Sequence, residues 1–66
     1  MFDMNKLEVG QKVLLRCGNV AKYLGLEGCG EYPYCIDDPD EKLLTISETG
    51  EFSIGEETDF DVVGVA

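Results

Sequence analysis

The chain has 66 residues, 44% of them hydrophobic, with five Lys and Arg against fourteen Asp and Glu and no histidine. Residues 1–66 form one small domain at most, which buries only about 60% of its unfolded surface, and the apolar fraction argues against full disorder. A net charge of −9 argues against direct nucleic-acid binding, the lack of histidine excludes Cys–His and Ser–His pairs within the chain, and no apolar run is long enough for a membrane-spanning helix.

Met1 to Asn5 reads as a loose lead-in. The opening MFDMNKLEVG has neither the basic nor the apolar region of a secretion signal, so a cytoplasmic location is expected. Lys6 to Gln11 alternates and then turns at Gly10. Lys12 to Arg16 reads as a strand with Val13 and Leu15 on one face. Cys17-Gly18-Asn19 supplies a hairpin turn, since Gly and Asn tolerate positive φ. Val20 to Leu24 reads as the returning strand, with a short helix over residues 19–26 as the alternative. Gly25 to Glu31 holds three glycines and reads as a mobile loop. Tyr32 to Ile36 is apolar, with Pro33 confining its start to an edge or a strand entry and Tyr34 and Ile36 sharing a face. Asp37 to Glu41 reads as a turn in which Pro39 fixes φ and the Asp side chains cap backbone amides.

The most regular hairpin is expected between Leu43 and Ile54. Leu44 and Ile46 would point inward and Thr45 and Ser47 outward, with Phe52 to Ile54 as the returning strand. Glu48-Thr49-Gly50 would turn between them, Gly50 taking positive φ. Gly55 ends the second strand, and Glu56, Glu57, Thr58 and Asp59 form a polar connection. Phe60, Val62, Val63 and Val65 read as a final strand. The expected core holds Val13, Leu44, Ile46, Phe52, Ile54 and Val62. The fold class is mainly β: a small SH3-like barrel first, or a curled antiparallel sheet of five or six short strands.

Chemistry is sparsely specified. Cys17, Cys29 and Cys35 are odd in number and read as thiols serving as small apolar fillers. Three cysteines without histidine leave a zinc site incomplete. The stretch DDPDE lacks the central glycine and distal glutamate of an EF-hand loop. No cofactor, no metal and no catalytic residue is expected, and the chain does not read as an enzyme.

The charge is one-sided. Residues 1–33 balance four acids against four cations, whereas residues 34–66 hold ten acids against Lys42 alone. The natural complement is a basic protein surface. In this reading Asp37, Asp38, Asp40, Glu56, Glu57, Asp59 and Asp61 supply the attraction. Tyr32, Tyr34 and Phe60 supply short-range anchors, because aromatic residues dominate binding hot spots. The other reading is a structural or assembly domain that self-associates through an uncovered strand edge, its acids serving only solubility.

The C-terminal pattern of Thr45, Glu48, Gly50, Phe52, Gly55, Glu57, Thr58, Phe60, Asp61 and Val63 resembles that of short bacteriophage and prophage accessory proteins. The opening Val9-Gly10-Gln11-Lys12-Val13 and the central Tyr32-Pro33 extend the likeness to about two thirds of the chain. The acidic stretch Asp37 to Glu41 and the cysteines lie outside it. The resemblance implies a small accessory protein of a bacterial host's cytoplasm. Such proteins often inhibit host or defence machinery, anti-CRISPR proteins and DNA mimics among them.

Overall fold

A computed structural model describes residues 2–40 and 42–66; Met1 of the lead-in and Glu41 of the expected acidic turn lie outside them. Five strands form: β1 (Lys12–Leu15), β2 (Val20–Gly25), β3 (Tyr34–Asp38), β4 (Lys42–Ile46) and β5 (Val62–Val65). All neighbours are antiparallel, in the order β4-β3-β2-β1-β5. β1 to β4 make a meander of hairpins, and β5 returns beside β1.

The period-two pattern explains the strands. In β2, Ala21 and Tyr23 are buried while Val20 and Lys22 are exposed, so residues 20–25 are strand and the helix alternative fails. β1 buries Val13 and Leu15, and β4 buries Leu44 and Ile46. Register shifts fall between Tyr23 and Gly25 and between Leu14 and Leu15. Such bulges bend a strand and strengthen its twist, and they curl the sheet around Val13, Leu15, Ile36, Ile46 and Val62. β4 and β5 are the two ends of the sheet order, so the architecture is the curled sheet and not a closed barrel.

Three expectations are corrected. The lead-in is part of the core: Met4 opens a 3-10 turn (Met4–Lys6), is fully buried, and donates its amide to Glu48 O at 2.9 Å. An unbranched thioether side chain fills an irregular gap well. Beyond Gly25, which ends β2, the expected loop forms, tied by a bridge between Cys29 and Tyr32 and a bond from Gly28 N–H to Pro33 O.

The hairpin Leu43–Ile54 does not form, because only its first strand exists. β4 pairs with β3, and residues 52–54 are irregular. Side chains take the amides that a second strand would use. Ser47 Oγ accepts from Glu51 N–H at 3.0 Å, Asp61 Oδ1 from Phe52 N–H at 3.1 Å, and the Tyr32 hydroxyl from Ile54 N–H at 3.1 Å. Ile54 is therefore 47% exposed, and Phe52 is only half-buried. Of the cysteines, only Cys35 is a buried filler, while Cys17 and Cys29 are exposed.

Gly50 is the position where glycine matters most. Its φ is +87°, and an added Cβ would stand 2.7 Å from Val62 O. That close approach lets Val62 N–H donate to Gly50 O at 2.8 Å, which ties the turn after β4 to the start of β5.

Candidate functional site

Strand direction decides where the acids go. β1 and β3 run one way and β2, β4 and β5 the other. The β1–β2 turn, the β3–β4 turn and the entry to β5 therefore share one end of the sheet. Hydrogen bonds tie the three together. Asn19 Nδ2 donates to Asp38 Oδ1 at 3.3 Å and to Asp40 Oδ2 at 3.0 Å. On the other side of the same turn, Arg16 N–H donates to Asp61 O at 2.9 Å and Cys17 N–H to Asp59 O at 3.0 Å. Sequence segments about twenty residues apart thus form one acidic rim.

The rim acids divide into two kinds. Asp37, Asp40, Glu56, Glu57 and Asp59 face solvent. Asp38 and Asp61 are 1% and 4% exposed, so they cannot present contact surface. They are brackets. Asp38 Oδ2 accepts from Asp40 N–H at 3.1 Å, closing the turn after β3. Asp61 accepts from Phe52 N–H, Thr58 N–H, the Thr58 hydroxyl and Arg16 Nη2 at 3.1, 3.0, 2.9 and 3.4 Å. Burial alone would raise the Asp61 pKa, but the bonds from Thr58, Phe52 and Arg16 outweigh it and hold the carboxyl below its ordinary value.

The aromatic residues are not gathered on the rim. Tyr34 is buried at the opposite end of β3, its ring 6.1 Å from that of Tyr23 and its hydroxyl bonded to Asn5 Oδ1. Burial, with Glu48, Tyr23 and Asp3 nearby, raises its pKa. Tyr32 precedes β3 at that same far end and is half-buried against Ile54. Phe60 alone adjoins the rim, half-buried with its ring centroid 5.2 Å from that of Phe52.

Two residues that the sequence pattern did not single out matter here. Arg16 donates Nε to Thr58 O at 3.2 Å and pairs with Glu57 at 3.7 Å and Asp61 at 3.4 Å. Its only sequence signal is a lone arginine before a Gly-Asn turn. Glu51 accepts from the Thr49 hydroxyl at 2.7 Å and from Gly55 N–H at 3.0 Å, and these two bonds lower its pKa. No local pattern announces that role. Below the rim, Glu51, Glu56, Glu57 and Arg16 border a groove of about 510 Å³ with Phe2 and Val62 among its apolar lining. Among the described residues no group of three Cys, Asp or Glu is placed to hold a metal ion, and no helix is long and apolar enough to cross a membrane. No protein-family model, curated protein or solved structure matches the chain.

Proposed function

We propose that this chain is an acidic binding module whose rim occupies a basic, nucleic-acid-binding surface of another protein. The observation that carries the reading is that Asp40, Glu57 and Asp59 are tied to the two sides of the β1–β2 turn, with Asp37 at the same end of β3 and Glu56 next in the chain to Glu57. A rigid β scaffold holds these carboxylates at fixed spacings, as a phosphate backbone holds its charges. Asp38 and Asp61 contribute by fixing the loops, and Phe60 is the aromatic residue best placed for a short-range contact. Tyr32 and Tyr34 have no part in this version of the surface. The phage-like motifs imply a host or defence protein that handles nucleic acid as the partner class, and inhibition as the outcome.

The test is capture from a bacterial lysate with and without competing duplex DNA, then association kinetics with the captured protein. DNA should displace the partner. Reversing Glu56, Glu57 and Asp59 to Lys should slow association at least tenfold at low salt, because exposed charges act mainly on the encounter rate. A folded variant that associates as fast as the parent defeats the reading.

A further inference from the structure

The two ends of the sheet differ in how they are finished. At β5, Val62 N–H is already taken by Gly50 O, and the register with β1 shifts at that point. A bulge of this kind blunts an edge. β4 pairs with β3 without a break across Lys42–Ile46. Among the described residues its outer side is closed only past its end, where Ser47 N–H donates to Glu51 O at 2.9 Å, away from β3.

The alternation of an antiparallel ladder then fixes the backbone of the strand. If Ser47 turns its amide away from β3, so do Thr45 and Leu43, while Leu44 and Ile46 bond inward. Pro33 agrees: its carbonyl accepts from Gly28 N–H on the side away from β4. Leu43 and Thr45 therefore present two amides and two carbonyls outward, and Leu43 is 62% exposed.

We infer that β4 is a pairing edge for a second copy of this chain, antiparallel and centred on Leu44. In that register Leu43 of each copy opposes Thr45 of the other, and all four outward groups on each strand are satisfied. Charge permits a second copy: Lys42–Ile46 holds no acid, so it is a stretch where two chains of net charge −9 can approach, and Lys42 of each copy opposes the apolar Ile46 of the other. The antiparallel arrangement also sends the two acidic rims to opposite ends, so the dimer is bivalent. The contact is small, so the dimer is of the weak, transient class.

Sedimentation equilibrium across micromolar to millimolar protein tests this. The mass should rise from 7.3 kDa toward twice that value, and amide exchange at Leu43 and Thr45 should slow as it does. Thr45→Pro removes an amide that faces solvent in the monomer, a place where an edge strand tolerates proline. It should weaken the dimer at least tenfold while leaving the circular dichroism of the monomer unchanged. Leu43→Asp should do the same, and it serves as the probe if the proline variant does not fold. A chain that is monomeric throughout, or a dimer that survives Leu43→Asp and breaks with Val63→Asp, overturns the inference. Thr45 opposes Cys35 whereas Leu43 opposes the rim acid Asp37, so loss of dimer with partner capture retained in the Thr45 variant separates this result from the proposed function.

Discussion

Asp61 is a structural acid, although its charge first reads as part of a binding surface. It is a buried acceptor of four bonds that tie residues 52 and 58 and the β1–β2 turn to the start of β5. Asp61→Asn keeps the shape but turns one acceptor oxygen into a donor that meets Thr58 N–H and Arg16. The expected loss is about 2–3 kcal/mol, in the range for hydrogen bonds to charged groups, measured by urea denaturation. For the small total stability of such a domain that is a large share. The pH dependence has a definite sign. The folded carboxyl has a pKa below its ordinary 3.8, so its contribution is present above that value and is lost as pH falls through it toward the folded pKa. Glu51, lowered by Thr49 and Gly55, adds in the same direction. An acid titration of stability should fall below about pH 4, and the fall should be shallower in Asp61→Asn. Equal slopes in parent and variant contradict the assignment.

At the scale of elements, the strands were legible and the segment after β4 was not. β1, β2, β4 and β5 each carry alternation or a compact apolar run, and the turns between them carry Gly, Asn or Pro at fitting places. Those signals are local, and local signals survive folding here. Residues 52–54 carry the same alternation, yet Asp61, nine positions away, takes the Phe52 amide. Asp38 misleads for the same reason, since its partner Asn19 lies nineteen positions back. A side-chain acceptor that the fold brings back to a backbone amide leaves no mark on the alternation of apolar residues. The consequence for packing is measurable. Phe52 packs against Phe60 at 5.2 Å but is only half-buried. Phe52→Ala should cost about 1.5–2.5 kcal/mol, half of the 3–5 kcal/mol typical of a fully buried aromatic ring. A thermal melt that loses nothing would show that the ring contributes no packing, and a loss above that range would show that the segment does close over the core.

For the whole molecule, the decisive property is a neutral half folded together with a half of charge −9. Antiparallel topology gathers much of that excess at one end, where Arg16 is the cation shown in ion pairs with it. Crowding like charges destabilises a compact state, and salt relieves the crowding over a screening length of about 8 Å at physiological ionic strength. The melting temperature of the parent should therefore rise with added sodium chloride. Reversing Glu56, Glu57 and Asp59 to Lys removes three charges and adds three of the other sign. It costs two exposed contacts, Arg16 to Glu57 at 3.7 Å and the Ser53 hydroxyl to Glu56 at 2.9 Å, each of a kind worth about 0–1 kcal/mol. The variant should thus melt at or above the parent's temperature at low salt, with a flatter salt response, while associating more slowly with a basic partner. Stability gained and encounter rate lost in one variant would mean that the rim is kept for binding at a cost to the fold. A variant that melts lower at every salt concentration would instead make these acids structural, and the repulsion argument would fail.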